Sequence, residues 1–235
     1  MKRTALIVGA TGLVGSHCLR ALLASENYQK VHVLVRRELK LPLSERQRQK
    51  ILVHVVNFDK LEKNAGLFAV DDVFCCLGTT LKQAGSIEAF KKVDYDYCLK
   101  TAQLATEKNV AHFLIVTAVN AKANSLAYYS RTKGELQKQL TLLNFKQLSL
   151  FQPSLLLGER KDFRLLEGVW GKSASVLNNL LPKKMSAFKA IDGKVVGQAM
   201  VAVASNKNLQ KSDKGVDFYH YDDMQKASES LIRFS

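Results

Sequence analysis

An apolar run, Ala5-Leu6-Ile7-Val8, stops at Gly9-Ala10-Thr11-Gly12-Leu13-Val14-Gly15, and an amphipathic stretch from Leu13 to Leu23 follows at once. Strand, glycine turn and helix in that order are the context a dinucleotide fingerprint needs. Gly9 makes the tight turn, Gly12 lets the backbone approach a pyrophosphate, and Gly15 lets helix and strand pack closely. The new helix points free N–H groups and a partial positive charge at the phosphates. Three glycines at this spacing also arise by chance, so the rest of the chain has to supply the rest of the site.

It does so first by alternation. Val31-His32-Val33-Leu34-Val35 reads as a buried parallel strand, and Ile51 to Val56 as the next. Asp72 to Leu77 is a fourth strand, ending at Gly78-Thr79-Thr80, and His112 to Val116 is a fifth. Helical patterns run from about Ile87 to Lys108 and from about Ala127 to Leu143, before a sixth strand, Gln147 to Phe151, broken by Pro153. Strands alternating with helices imply an α/β fold, a doubly wound parallel sheet. Right-handed crossovers favour the order 3-2-1-4-5-6, with ligands at the carboxyl ends of strands one and four. Those ends carry Gly9 and Gly78. Past Pro153, helices over Phe163–Leu181, Val195–Ala204 and Met224–Ile232 and short strands near Ala187–Ile191 and Val216–Tyr219 are expected. The reading is one domain, 1–235, with 154–235 forming a small C-terminal cap on the substrate side.

Composition narrows the class. A hydrophobic share of 47% and a charged share of 24% are those of a globular chain. No apolar run reaches the roughly 18 residues of a membrane span. Met1-Lys2-Arg3 before an apolar stretch imitates a signal peptide, but three glycines interrupt the stretch, so a cytoplasmic protein is expected. Cys18, Cys75, Cys76 and Cys98 form no CxxC pair, and His17, His32, His54, His112 and His220 show no ligand spacing, so no metal is expected. The net charge of +14 raises the question of nucleic acid. The densest basic stretch, Arg36 to Lys50, holds no aromatic residue for base stacking and reads as a solvated loop.

The second strand ends in Arg36-Arg37, where an NAD-binding chain usually carries an acidic residue for the ribose hydroxyls. Guanidinium groups there suit a 2′-phosphate, which predicts NADP(H). The competing reading is that the pair only starts the basic loop. Asp59, just past the third strand, is either an acceptor for the adenine amino group or an exposed helix cap. Tyr129-Ser130-Arg131-Thr132-Lys133 puts a phenol and an ammonium on one helix face, after strand five. An ammonium beside a phenol favours phenolate and suits it to proton exchange with a carbonyl or alcohol, and Lys133 can also hold the cofactor ribose. Tyr128 is the rival tyrosine, but its partner one turn on is the uncharged Thr132. Thr117, ending strand five, either polarises a substrate carbonyl or makes a local backbone bond.

Together the glycine loop, Arg36-Arg37, Leu77-Gly78-Thr79-Thr80 and Tyr129-x-x-x-Lys133 resemble an atypical short-chain dehydrogenase/reductase. The strings FCCLGTT (74–80), VDYDY (93–97) and YSRTKGELQ (129–137) resemble the group of the Tat-interacting oxidoreductase and its bacterial relatives. The resemblance covers about residues 4–165. It implies an NADPH-binding Rossmann-type fold, with cofactor contacts from Thr11, Gly12, Leu13 and Val14, from Arg36 and Arg37, and from Leu77 and Gly78. It also implies Tyr129 as proton donor or acceptor with Lys133 as its partner, Leu156 beside the nicotinamide, and Arg164 as a further candidate. Three positions depart from the family pattern: Thr117 for serine, Asn120 for glycine, and Asp94 where many short-chain enzymes place a relay asparagine.

The expectation is an NADPH-dependent oxidoreductase acting on a small carbonyl or alcohol. An NADPH-binding regulator with little turnover is the alternative. Gly171-Lys172-Ser173 is not a phosphate loop, because Leu166 stands where a glycine is required. Specificity is expected in Thr79–Ser86 and 154–190.

Overall fold

The computed structural model describes residues 2–158, 182–212 and 215–233. The strands are β1 (Arg3–Val8), β2 (Tyr28–Val35), β3 (Ile51–Val55), β4 (Asp72–Cys75), β5 (His112–Val116), β6 (Gln147–Phe151), β7 (Leu156–Leu157), β8 (Ile191–Asp192) and β9 (Gly215–Tyr219). Seven of them make one parallel sheet in the order β3-β2-β1-β4-β5-β6-β9, and β7 pairs with β8 apart from it. The expected order 3-2-1-4-5-6 is present, with a seventh strand added beyond β6.

Alternation along each strand divides the core into two layers. On β1, Ala5 and Ile7 face one side and Leu6 and Val8 the other, all fully buried. The first layer packs under α1 (Leu13–Ala24), through Cys18, Leu19 and Leu22. The second packs under α5 (Tyr97–Glu107) and α6 (Tyr128–Thr141), through Ala102, Leu136 and Leu140. Each fully buried leucine contributes about 1.5–3 kcal/mol relative to exposure. Strands covered on both faces read as continuous apolar runs, which is why they were recognisable in the sequence.

Two short helices, α2 (Glu45–Lys50) and α3 (Leu81–Ala84), come before the expected helix from Ile87 to Lys108, which is three pieces: α4 (Ile87–Lys91), a π turn over Lys92–Asp96, and α5. The wider π turn rotates its residues relative to a regular helix, and Asp94 on it is buried.

The last third of the chain contributes to the sheet itself. From Gly193 on it builds α7 (Gly193–Ser205), the edge strand β9 beside β6, and α8 (Tyr221–Arg233). Helix α7 lies on α1 so closely that a Cβ on Gly197 would stand 2.6 Å from the Cys18 nitrogen. The helix expected over Phe163–Leu181, and with it Arg164, lies outside the described residues.

A polar network sits at the end of the sheet away from the glycine loop. The Asp72 carboxylate is paired with Arg3 and accepts from the Tyr28 hydroxyl at 2.7 Å. Buried His112 shares a 2.8 Å hydrogen bond with Ser149.

Candidate functional site

At the carboxyl edge of the sheet lies a cleft of about 1290 Å³. The glycine loop forms its floor. Gly9 has φ +79°, and a Cβ there would fall 2.5 Å from the Cys76 carbonyl, so only glycine makes this turn. A Cβ on Gly15 would lie 2.0 Å from the Gly9 oxygen, which fixes the seating of α1 against the loop. Gly12 is exposed, and no side chain caps α1 at its N-terminus. Bare backbone and an uncapped helix start fit a pyrophosphate.

Thr11, Gly12, Leu13, Val14, Leu77, Gly78, Thr117, Tyr129, Lys133 and Leu156 all line this cleft. The structure brings these residues together from five separate segments. Gly9 and Gly15 lie beneath it as structural glycines. Arg36 and Arg37 are exposed on the segment after β2, whose next residues, Leu39, Lys40 and Leu41, line the cleft.

Asp59 is not brought to the cleft. It lies in a separate depression of about 350 Å³, where Lys92 pairs with it and the Tyr97 hydroxyl donates to it, each at 2.7 Å. Its place follows from the turn before it, where Asn57 accepts from the Asp59 backbone N–H and starts a 3₁₀ segment over Phe58–Phe68.

The two tyrosines part company. Tyr129 is 41% exposed and lines the cleft, with its ring 5.7 Å from that of Phe90. Tyr128 packs between Phe90 and the Arg131 guanidinium. Lys133, one turn on from Tyr129, is 3% exposed and pairs with Asp94 at 2.6 Å. Burial pushes the Lys133 ammonium down, but the Asp94 carboxylate more than offsets this, so its pKa stands above the usual lysine value. The other Asp94 oxygen accepts from the Thr79 backbone N–H at 2.7 Å. Sequence reasoning noticed Asp94 only as a departure from asparagine and missed this partnership.

Thr117 is already engaged. Its hydroxyl donates to the Phe151 carbonyl at 3.3 Å and accepts from Gln137 at 2.9 Å, while Gln137 accepts from Gln152 at 3.2 Å. Asn120 takes φ +58°, which asparagine tolerates better than most residues, so the turn survives without the family's glycine.

A family of NAD(P)H-binding proteins matches residues 9–141, the span that carries the glycine loop, Tyr129 and Lys133. The chain belongs to the NAD(P)H-binding family. Within reach of this family stands protein HTATIP2 of Rattus norvegicus, 37% identical over 169 residues, which span 72% of this chain and 68% of that one. Protein FMP52, mitochondrial, of Saccharomyces cerevisiae is 30% identical over 98% of both chains. The resemblance read from the sequence is therefore sustained. The FMP52 relatives are named mitochondrial, and this overturns the expectation of a cytoplasmic protein.

Among solved structures, MoeE5 in complex with UDP-glucose and NAD superposes with a TM-score of 0.66 at 12% identity, covering 97% of this chain and 81% of that one. The ADP-L-glycero-D-manno-heptose-6-epimerase of Helicobacter pylori gives 0.63 at 17%, covering 98% and 83%. Both share the Rossmann-type fold. Nicotinamide-dinucleotide binding is thus a property of the family, and the uncapped α1 and bare Gly12 are the features of this chain that fit it. Among the described residues no helix is long and apolar enough to cross a membrane.

Proposed function

We propose that the chain is an NADPH-dependent oxidoreductase that reduces a small carbonyl, or oxidises the matching alcohol, with Tyr129 as the proton donor or acceptor. The observation that carries this reading is that Tyr129 and Lys133, one turn apart on α6, line the same cleft as the glycine loop. The nicotinamide, when bound, supplies or accepts the hydride. Thr11 to Val14 and the start of α1 hold the pyrophosphate through backbone N–H groups. Arg36 and Arg37 take the 2′-phosphate, with Lys40 adding positive charge where the same segment meets the cleft. Leu77, Gly78 and Leu156 border the reacting end.

Tyr129 is exposed enough to meet a substrate oxygen and gives it a proton as the carbonyl becomes an alcohol. Lys133, one turn on along α6, would hold the cofactor ribose. Thr117 serves best by orienting the wall: to donate to a substrate oxygen it would release the Phe151 carbonyl.

That engagement of Thr117, together with the commitment of Lys133 to an ion pair with Asp94, favours a second reading, an NADPH-binding regulator with little turnover. One measurement separates them. Purified chain is incubated with NADPH or NADH and a panel of aldehydes and ketones, and nucleotide oxidation is followed by absorbance. Turnover with NADPH above the no-enzyme rate supports the oxidoreductase. Tight NADPH binding with no oxidation across the panel supports the regulator, and equal affinity for NADH rejects the NADPH assignment.

A further inference from the structure

Burying an ammonium is costly, and lysines without a counter-charge in such places lose their proton near neutrality. Lys133 is 3% exposed and Asp94 is 1% exposed. The two come together only because the π turn over Lys92–Asp96 carries Asp94 inward, where it meets a lysine from α6 at 2.6 Å. The same carboxylate receives the Thr79 backbone N–H at 2.7 Å, so it also fastens the turn after β4. A Cβ on Gly78, between these two points, would lie 3.6 Å from the near Asp94 oxygen and 4.0 Å from the Lys133 nitrogen. Bare backbone at Gly78 thus leaves both members of the pair on the lining of the cleft.

That near oxygen, Oδ1, meets the Lys133 ammonium while the other takes the Thr79 N–H, so both carboxylate oxygens are engaged. The remaining groups that bear electrostatically on Lys133 are the Cys98 thiol from α5 and the Tyr129 phenol from its own helix. Neither is a carboxylate, so among the described residues Asp94 is the one anion acting on this lysine.

We propose that Asp94 is a positioning residue that holds Lys133 as a charged, oriented ammonium at the cofactor's ribose and ties it to the Gly78–Thr79 turn. The proposal rests on the reading of Lys133 as a cofactor contact. It extends that reading to a residue for which asparagine would not serve. An amide in its place can still accept from the Thr79 N–H, but it cannot keep a buried lysine protonated. The departure from a relay asparagine is then a change of function at that position, from passing a proton to holding a charge.

The test is NADPH binding by fluorescence titration on the whole chain from pH 6 to pH 10, which requires no turnover. Wild type keeps its affinity through the alkaline range. Asp94→Asn is expected to match wild type within about fivefold at pH 6, then lose at least tenfold by pH 10, because its unpaired lysine titrates about two units or more below the ordinary lysine value. Asp94→Glu restores the wild-type profile. Lys133→Met binds weakly at every pH, and adding Asp94→Asn to it changes nothing further.

An Asp94→Asn profile that overlays wild type overturns the proposal, and so does unchanged affinity in Lys133→Met. If Asp94→Asn fails to fold, the double variant Asp94→Asn/Lys133→Met, with no buried charge, is expected to fold. Failure of that variant when Lys133→Met folds assigns Asp94 a purely structural part and also overturns the proposal. Absence of carbonyl turnover with these binding profiles intact bears on the oxidoreductase reading alone.

Discussion

The Cα of Gly15 faces the carbonyl oxygen of Gly9 so closely that a Cβ on Gly15 would stand 2.0 Å from it. Gly12, between them in sequence, has only that same oxygen near its Cβ position, at 3.4 Å. Two glycines of one motif therefore serve different ends, one packing and one access.

Their alanine variants are expected to differ accordingly. Gly15→Ala should destabilise the chain by about 2 kcal/mol or more through overpacking. Gly12→Ala should change stability by less than about 1 kcal/mol and still weaken NADPH binding at least tenfold, because its methyl enters the space of the phosphates. Urea unfolding and fluorescence titration read the two effects separately. Equal stability losses in both variants would reject the division.

Tyr129→Phe is expected to cut carbonyl reduction by about 10²-fold or more, the usual scale for loss of a general acid. NADPH affinity should stay within about threefold of wild type. Tyr128→Phe should change turnover by less than about threefold, because that ring is held between Phe90 and Arg131 and lies off the cleft. The reverse pattern would make Tyr128 the reacting tyrosine.

Arg36→Ala/Arg37→Ala should lower NADPH affinity by about 10–100-fold, the worth of charged hydrogen bonds to a phosphate. NADH affinity should hardly move. Raising salt should weaken NADPH binding in wild type more than in the variant. If both nucleotides lose equally, the arginines support the segment after β2 and do not select the phosphate.

At the opposite end of the sheet, acid stability turns on two buried groups. Burial pushes the Asp72 carboxyl up to about 7 despite the Arg3 guanidinium beside it, and burial pushes His112 down to about 3, helped by Arg3. Between pH 4 and 6.5 the folded chain keeps a proton on Asp72 that the unfolded chain releases, so this contribution falls as pH rises. In the same range the unfolded chain protonates His112 and the folded chain does not, so that contribution is complete above pH 6.5 and is lost as pH falls toward 3. The two slopes oppose each other. Asp72→Asn should expose the His112 slope, up to about 1.4 kcal/mol per pH unit of unfolding free energy between pH 4 and 6. A flat urea-unfolding profile for that variant over this range would show that His112 is not buried as a neutral ring.

What could be read from the sequence was what depends on local pattern. The six-strand order follows from apolar runs and chirality. Thr11 to Val14, Gly78, Tyr129 and Lys133 meet because each stands at the carboxyl end of a strand or in the first turns of the next helix. Asp94 escaped because its inward turn depends on a π turn inside an otherwise regular helical pattern, and on a lysine from another helix. The two alternatives for Asp59, adenine acceptor or exposed helix cap, could not be separated by position along the chain: Asn57 starts a 3₁₀ turn there, and Lys92 and Tyr97 hold the carboxylate in a separate depression. Strand β9 is a five-residue segment whose place shows only in its pairing with β6.

The backbone contact of α7 on α1, where Gly197 meets Cys18, bears on how the chain acquires its shape. The side of α1 carrying Val14, His17 and Cys18 is covered by a helix that ribosomes make long after the glycine loop. Until it arrives, that side of α1 lacks its full cover. Sequence-distant pairings of this kind slow folding and leave apolar surface open to wrong partners in the meantime. The nucleotide-binding half is thus translated first but finished late.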